Sequence, residues 1–519
     1  MDDINKGKYR LSRRDVIKAI ATVPVLGAFG YGLMEKLAHQ TKQSFDMARE
    51  LGLNLYDDPA SLPASNGDTI RLGIIGAGGR GRHLLQAAGF AHPELLKGWQ
   101  DNAIQVKDDT RFQDFLEQED LNIVITGVCD LFDHNANLAL EAAANGVKET
   151  AIGVGVQTAR RYKRYTDLLA APDVDAVIIA TPDHWHAQMG IDAAKAGKHI
   201  YIEKGLTRTV DEAFALREAV KASDIVFQLG HQGRQTASFN KAREVINKNV
   251  LGKISLIEVC TNRNDPNGAW VYPIHPQANP STLDWEQFVE PTNKHPFSLE
   301  RFFRWRCWWD YGTGLGGDLL THEFDAINQV MHLGIPHSAV ASGGIYFYKD
   351  GREVPDVFQA VFEYPERDLT FMYSASLAND YYRGKVLMGH DATMHMENTL
   401  QVYPDSRSTQ YQKHLEAGLI HPDQPMITYA PGQNSLDAVT SATEQYFASR
   451  GLLYTHVKGK RVNTAHLHIK EWLECIRQNK QPSCDIDQAF EEAITAHMAT
   501  IAYRENRKVY WDADNEKII

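Results

Sequence analysis

The stretch that decides the fold is Ile70-Arg71-Leu72-Gly73-Ile74-Ile75-Gly76-Ala77-Gly78-Gly79-Arg80-Gly81, an apolar run that ends in a glycine-rich turn. In the pattern G-x-G-x-x-G, the first glycine permits a tight turn, the second lets the backbone approach a pyrophosphate, and the third permits close packing of a helix on the strand. The following helix would offer N-terminal amides and partial positive charge to phosphates. We therefore predict a dinucleotide site formed by Gly76, Gly78, Gly79, Arg80 and Gly81.

Downstream of this turn, apolar strands alternate with helices up to about residue 230. Further strands are predicted over residues 122–129, 174–180, 199–202 and 225–229. Continuous apolar strands separated by helices indicate a parallel sheet covered on both faces. The fold class predicted for residues 67–232 is therefore α/β, a doubly wound Rossmann domain.

Beyond residue 254 the pattern changes to strands that follow one another without helices between them. These runs cover residues 254–260, 339–348, 357–364, 369–376 and 385–389, and helices follow at 466–478 and 487–506. Successive strands indicate an antiparallel sheet. We predict a second domain of α+β class over residues 233–519. It would be an open-faced, mostly antiparallel sheet with helices on one face, and we expect the chain to form a homo-oligomer through this sheet. The C-terminal helices could pack back on the first domain, and the insertions at 91–120 and 146–158 receive no role.

The N-terminus has the pattern of an export signal. Ser12-Arg13-Arg14-Asp15-Val16-Ile17-Lys18 precedes an apolar run over residues 19–34, which resembles a twin-arginine signal. Residues 1–66 are therefore predicted to be signal and linker, and the protein is expected in the periplasm or otherwise exported. An uncleaved membrane tether or a surface helix remains the alternative. No other stretch is long and apolar enough to be predicted as a spanning domain.

Charge and cysteine content narrow the function classes. The formal net charge of −12 argues against a nucleic-acid partner, because phosphate backbones are bound by basic faces. The five cysteines are widely spaced and form no Cys-x-x-Cys pair, so neither a zinc ribbon nor a disulfide framework is predicted. Five of the nine tryptophans lie between Trp270 and Trp309.

Polar residues follow the ends of the second and third predicted strands. Asp130 is placed to bind the adenosine ribose, and an acid there favours NAD over NADP because it would repel a 2′-phosphate. Its alternative role is a helix cap. Thr181, Pro182, His184 and His186 lie in a loop that would face the ligand crevice. The two histidines could also be a metal pair, but no further ligand cluster accompanies them, and no metal is predicted.

Together with Tyr201-Ile202-Glu203-Lys204 and Gly316-Gly317-Asp318-Leu319-Leu320-Thr321-His322, these motifs resemble the glucose–fructose oxidoreductase / inositol dehydrogenase / MocA family. The resemblance extends from about residue 69 nearly to the C-terminus. It implies NAD(H) as cofactor, a sugar substrate and a catalytic set of Lys204, Asp318 and His322, with Glu203 and Lys204 also beside the cofactor. The family usually has proline after Glu-Lys with a cis peptide, whereas this chain has Gly205, which leaves the conformation of that peptide open.

Elementary chemistry is consistent with these roles. The Lys204 ammonium, at a strand end, can donate to a reacting oxygen. Asp318 and His322 are four positions apart and would share one helix face, so that His322 can accept a hydroxyl proton while Asp318 holds substrate or orients the reaction. The alternatives are an exposed lysine for Lys204, a helix N-cap for Asp318 and a core histidine for His322.

Aromatic rings before the catalytic helix suit the C–H faces of a sugar. We predict substrate contacts from Arg234, Trp305, Trp308, Trp309 and Tyr311, with core packing as the alternative for the aromatic rings. The stretch Asn262-Arg263-Asn264-Asp265 could also contact substrate.

Export adds an expectation about the cofactor. Free NAD is scarce outside the cytoplasm, so a cofactor bound before export would have to be recycled on the protein. We expect an oxidoreductase that acts on a hydroxyl of a sugar or glycoside, with C3 as a candidate carbon. The alternatives are an NAD-dependent glycoside hydrolase or lyase that works by oxidation and elimination, and a non-catalytic sugar-binding protein.

Overall fold

The structure, a computed structural model, describes residues 44, 46–55, 67–106, 109–145, 159–265, 268–430, 453–457 and 460–519. The predicted signal, nearly all of the predicted linker and the 146–158 insertion lie outside these residues. Within them, no helix combines the length and the hydropathy that a membrane crossing requires.

The first sheet has six parallel strands in the order β3-β2-β1-β4-β5-β6. Its strands are β1 Ile70–Ile75, β2 Ile123–Cys129, β3 Arg160–Tyr162, β4 Ala176–Ile179, β5 His199–Ile202 and β6 Phe227–Leu229. The central strand β4 is apolar and buried over its whole length, as expected for a sheet covered on both faces. Chain order reverses between β1 and β4, and ligands bind at such switch points, beyond the carboxyl ends of the strands.

Helices connect these strands and add an insertion. They are α1 Gly79–Ala87, α2 Pro93–Gln105, α3 Arg111–Leu116, α4 Asp133–Ala143, α5 Tyr165–Leu169, α6 Asp183–Lys195, α7 Val210–Lys221 and α8 Ala237–Asn247. The 91–120 insertion contains α2 and α3, and a Trp99–Phe115 edge-to-face contact with ring centroids 5.9 Å apart joins them. The three-residue strand β3 was not predicted, because Arg160-Arg161-Tyr162 carries no apolar run.

The second sheet has eleven strands, and its central path runs β15-β14-β13-β12-β7-β10-β9-β8-β18-β19, with β11 paired to β7. These strands are β7 Ile254–Asn264, β8 Ser338–Gly344, β9 Val357–Tyr364, β10 Leu369–Ser376, β11 Ala378–Asn379, β12 Lys385–Gly389, β13 Ala392–Met396, β14 Leu400–Pro404, β15 Ile427–Tyr429, β18 Val509–Asp512 and β19 Lys517–Ile518. Strands β16 Tyr454–Val457 and β17 Lys460–Asn463 form a separate hairpin. Among the described residues, every strand pairing of the large sheet is antiparallel except that of β7 with β10. The predicted combination of a Rossmann sheet and a mostly antiparallel sheet is confirmed.

The remaining helices tie the two sheets together. They are α9 Trp285–Phe288, α10 Leu299–Phe303, α11 Thr321–Met331, α12 Gln412–Glu416, α13 Thr464–Gln478 and α14 Ile486–Glu505. One face of α13 inserts Ile469, Trp472 and Leu473 into the core that contains Leu72 and Ile74 of β1. A helix from the C-terminal part of the chain therefore covers one face of the first sheet.

Candidate active site

The glycine turn after β1 leaves an open cradle at the start of α1. Gly76 has a φ of +85°, and a Cβ there would lie 2.6 Å from the carbonyl oxygen of Ala180. A Cβ at Gly81 would lie 2.0 Å from the Gly76 carbonyl oxygen, whereas at Gly78 and Gly79 it would meet nothing within 4 Å. The N-terminus of α1 has no side-chain cap and no acid in its first turn. Its amides therefore fit the predicted pyrophosphate.

Asp130 ends β2 beside this cradle. Its carboxylate accepts hydrogen bonds from the backbone nitrogen atoms of Ala77, at 2.7 Å, and Phe132, at 2.8 Å. Burial raises the pKa of Asp130, and these bonds together with the charge of Arg82 oppose the shift. Each carboxylate oxygen keeps a second lone pair for a ribose hydroxyl. Asp130 therefore fits the predicted ribose contact, although it does not cap α4 with its side chain.

The loop before α6 is divided between the cavity and the protein interior. Thr181 and Pro182 line the cavity, while His184 and His186 do not. Nε2 of His184 lies 2.8 Å from the Phe288 carbonyl oxygen. The two ring nitrogens of His186 lie 2.6 Å and 2.8 Å from the carbonyl oxygens of Gly205 and Thr181. With both nitrogens of His186 facing backbone carbonyls, the two histidines do not form a metal pair.

Glu203 and Lys204 follow β5 and line the same cavity. Glu203 accepts hydrogen bonds from Nε of Arg80 at 2.8 Å and from Nε2 of Gln232 at 3.0 Å, which joins the glycine turn to the end of β5. The peptide between Lys204 and Gly205 is cis. The Lys204 ammonium donates to the backbone oxygen of Asp318 at 2.8 Å and to its Oδ1 at 2.7 Å. An ammonium has three protons, so one remains for another acceptor.

The Asp318 carboxylate is the centre of a buried group of opposite charges. Oδ1 also accepts from Nε of Arg306 at 3.0 Å, and Oδ2 accepts from Nε1 of Trp270 at 3.1 Å. Burial alone would raise the pKa of Asp318, but the charges of Arg306, Lys204 and Arg263 and the bond from Lys204 outweigh it and hold the pKa far below its usual range. We call these five residues (Asp318, Lys204, Arg306, Arg263 and Trp270) the Asp318 cluster.

Asp318 lies in one π-helical turn, Gly316–Leu320, that leads into α11. Single π-helical turns occur frequently at functional sites. The turn is packed closely, because a Cβ on Gly317 would lie 1.8 Å from Oγ1 of Thr313. Asp318 thus points at Lys204 from inside a helix and is not an N-cap.

His322 lines the cavity with Lys204. Burial and the neighbouring charges of Lys204 and His231 lower the pKa of His322 well below its usual value. Its ring packs edge to face on His231, with centroids 5.2 Å apart. The imidazole is therefore neutral at pH 7 and has the protonation state of a general base.

These groups share one cavity of about 510 Å³. Its lining includes the glycine turn, Asp130 and Thr181 as well as Lys204 and His322. A segment from the second half of the chain closes the cavity, and it contributes Tyr272, Pro273, Ile274, His275, Pro276, Phe302, Phe303, Trp305 and Arg306. Of this segment, only Trp305 was predicted from the sequence to contact substrate, and the donors Arg306 and Trp270 were given no role there.

The predicted substrate residues occupy different places. Trp305 lines the cavity, and Trp308, Trp309 and Tyr311 do not. The Tyr311 ring is fully buried beside His184 and Phe288, with centroids 5.2 Å and 5.0 Å away. Nε1 of Trp309 donates to the Glu353 carbonyl oxygen at 3.1 Å. Of the aromatic set, only Trp305 therefore reaches the cavity.

Arg234 lies behind His231, away from the cavity wall. Its Nε donates to Oδ1 of Asp325 at 2.6 Å, and its Nη2 donates to Oε1 of Glu492 at 3.2 Å. Cys484 completes a buried group of potential metal ligands with these two acids. The guanidinium already neutralises that group, which we call the Asp325 cluster (Asp325, Glu492, Arg234 and Cys484).

Comparison with known proteins extends these observations. Residues 70–231 match the family described as an oxidoreductase family with an NAD-binding Rossmann fold. Levoglucosan dehydrogenase from Pseudarthrobacter phenanthrenivorans is 28% identical over 207 residues, which cover 37% of this chain and 46% of that protein. A glycosyl hydrolase family 109 protein from Shewanella pealeana is 31% identical over 165 residues, 30% of this chain and 29% of that protein. The chain thus spans less than half the length of these relatives.

Similarity of fold covers more of the chain than similarity of sequence does. A structure of levoglucosan dehydrogenase in complex with NADH and levoglucosan superposes with a TM-score of 0.55 at 18% identity, covering 85% of this chain and 99% of that one. The cradle and Asp130 fit the cofactor of the matching family, and the prediction of NAD(H) is confirmed. Residues 70–231 therefore match the glucose–fructose oxidoreductase / inositol dehydrogenase / MocA family of oxidoreductases, and the resemblance predicted from the sequence is confirmed over this part of the chain.

Proposed function

We propose that the protein is an NAD(H)-dependent oxidoreductase that acts on a hydroxyl group of a sugar or glycoside. The observation that carries the proposal is the shared cavity, which brings Lys204 and His322 together with the glycine turn. The relative named levoglucosan dehydrogenase supports a sugar as the substrate.

Lys204 is placed to polarise the reacting oxygen. Two of its protons are held by Asp318, and the third is available to a substrate oxygen. A fixed ammonium in a buried site stabilises negative charge that develops on that oxygen. Asp318 holds the ammonium in position.

His322 removes the hydroxyl proton. Its lowered pKa leaves the imidazole neutral and able to accept a proton. When bound, NAD supplies the acceptor for the hydride that leaves the same carbon. Trp305 lines the cavity and offers a ring face to the C–H side of a sugar.

The finer expectations concern export and retention of the cofactor. The twin-arginine motif at Ser12-Arg13-Arg14 supports export to the periplasm, with or without a membrane tether. An exported protein would keep NAD(H) bound and regenerate it by exchange between two sugars. C3 is the carbon whose oxidation we propose.

A second candidate function is NAD-dependent glycoside cleavage. The relative named as a glycosyl hydrolase family 109 protein supports it. In that scheme oxidation at C3 acidifies the C2 proton, the anomeric substituent is eliminated together with that proton, water adds across the resulting double bond, and reduction of the C3 ketone gives the free sugar. Aglycone would then be released without net formation of NADH.

The test is a panel of sugars and glycosides incubated with the purified protein. Cofactor is extracted first, NADH is followed by absorbance near 340 nm, and released aglycone is measured in parallel. We expect Lys204→Met to lower kcat about 10²–10³-fold while leaving the amount of bound NAD unchanged, because it removes one oxyanion donor. The matched control is Lys163→Met, since the Lys163 side chain is 68% exposed.

Each readout separates the candidates. NADH formation supports the oxidoreductase, and aglycone release without NADH supports the hydrolase. Neither signal, despite bound NAD, would support a non-catalytic sugar-binding protein. Unchanged turnover of Lys204→Met would remove Lys204 from the mechanism.

A further inference from the structure

Positive charge exceeds negative charge in the part of the cavity wall around Lys204 and Asp318. Three cations, Lys204, Arg263 and Arg306, act on the single carboxylate of Asp318. The other acid in this part of the cavity wall, Glu203, is already matched by Arg80 at 2.8 Å. Asp183, behind the wall, accepts from Oγ1 and the backbone nitrogen of Thr313. Because the charge of Asp183 also acts on Arg306, the three cations face two carboxylates among the described residues, and positive charge remains in excess beside the reacting groups.

Arg263 carries the clearest sign of a missing partner. All three nitrogens of its guanidinium are buried, and none has a hydrogen-bond partner in the described chain. The guanidinium lies 5.6 Å from the centroid of the Trp270 ring, which itself bonds to Asp318. Buried polar groups are almost always hydrogen-bonded, and an exception indicates an absent ion, ligand or water.

Arg306 exposes the same chemistry to the cavity. Its Nε is used by Asp318 at 3.0 Å, but no described residue accepts a hydrogen bond from its two terminal nitrogens. Its guanidinium lies 4.1 Å from the centroid of the Trp305 ring, and both residues line the cavity. The side chain, which lines the cavity, is 20% exposed. A planar guanidinium on an aromatic ring offers a pair of donors suited to a carboxylate or phosphate.

We propose that the substrate is an anionic sugar, bearing a carboxylate or phosphate, whose charged group binds Arg306 and is drawn to this part of the cavity by Arg263. The inference rests on the proposed function, because it names the substrate class of the same cavity. With a neutral sugar, Arg306 would have to share the Asp318 carboxylate with Lys204, and the buried guanidinium of Arg263 would keep no hydrogen-bond partner in the described chain. The negative charge that develops on the reacting oxygen does not replace this anionic group, because the third proton of Lys204 already stabilises that oxygen.

The test compares matched ligands. Methyl glucoside, methyl glucuronide and methyl glucoside 6-phosphate differ at one carbon and separate neutral, carboxylate and phosphate groups. Their Kd values are measured by calorimetry on the cofactor-loaded protein, and their kcat/KM values by NADH formation. We expect one of the two anions to bind about 10- to 100-fold more tightly than the neutral glycoside, as charged hydrogen bonds do. The better anion identifies the group.

Arg306→Met and Arg263→Met are expected to remove this preference, while Arg164→Met, at a half-exposed surface arginine, is the matched control. The wild-type comparison does not depend on the folding of any variant. Equal or tighter binding of the neutral glycoside would overturn the inference and leave the proposed function intact. Preferential binding of an anion without turnover of any sugar would support the inference and overturn the oxidoreductase.

Discussion

Asp318 and Asp325 lie seven positions apart on one helical segment, and each is buried against an arginine. Their pKa values nevertheless shift in opposite directions. Around Asp318, three cations act on one acid and the pKa falls, although burial opposes this. Around Asp325, burial comes first, and one arginine is shared with a second acid, so the pKa values of Asp325 and Glu492 both rise to about 7.

The direction of a buried acid's pKa shift therefore depends on the ratio of positive to negative charges in its cluster. The presence of an arginine alone does not determine it. The Asp318 cluster has spare positive charge and faces the cavity. The Asp325 cluster is close to neutral when one acid is protonated, and it lies behind the cavity wall. The first is built to act on a ligand, and the second to hold the helices together.

The largest effect is expected when the Asp325 cluster loses its cation. Arg234→Met would remove the guanidinium that Asp325 and Glu492 share, and we expect it to lower the free energy of unfolding by about 3–5 kcal/mol, as measured by thermal or denaturant unfolding. The exposed-site control Arg164→Met is expected to change it by less than about 0.5 kcal/mol. Equal stability of the two variants would show that Arg234 does not support the fold.

Next in size is the effect on turnover. Asp318→Asn removes the charge that positions Lys204, and we expect kcat to fall on the order of 100-fold or more. Asp325→Asn, the matched variant on the same helix, is expected to stay within a few-fold of wild type. Steady-state NADH formation measures both. A comparable decrease in kcat for the two variants would show that the Asp318 cluster and the Asp325 cluster do not differ in their role in turnover.

The smallest effect is the dependence of stability on pH. The pKa of Asp325 is raised in the folded protein. Its contribution to the free energy of unfolding is therefore full at low pH and is lost as pH rises towards 7. The decrease in the free energy of unfolding caused by Asp325→Asn should therefore become smaller between pH 5 and pH 8, by on the order of 2 kcal/mol. The pKa of Asp318 is lowered, so its contribution stays constant over this range and is lost only at more acidic pH.

Denaturant midpoints of wild type, Asp318→Asn and Asp325→Asn at pH 5 and pH 8 would measure this contrast. Parallel changes in the two variants would show that the charge ratio does not separate the clusters.

Local patterns in the sequence were sufficient for the fold and for part of the site. The strand Ile70–Ile75 and its glycine turn are encoded within a few residues. Lys204 and His322 were located by the family resemblance, and the strand end before Lys204 and the four-residue spacing of Asp318 and His322 were consistent with it. Both residues line the cavity that the glycine turn opens.

Long-range pairing explains what the sequence did not reveal. Arg234 was predicted to contact substrate, yet its partners Asp325 and Glu492 are 91 and 258 positions away. A local sequence pattern cannot predict contacts between residues so far apart in the chain. The same holds for Trp270, which lies 48 positions before the Asp318 carboxylate that it contacts.

Helix α13 has a consequence for how the chain is made. Nε2 of Gln228 in β6 donates to the backbone oxygen of His468, 240 positions later, and Trp472 fills the core beside β1. At a synthesis rate of about 5–20 residues per second, one side of the nucleotide-binding sheet stays bare for roughly 10–50 s before its cover emerges from the ribosome. The newborn first domain should therefore be a client for chaperones, and a fragment cut near residue 232 should aggregate.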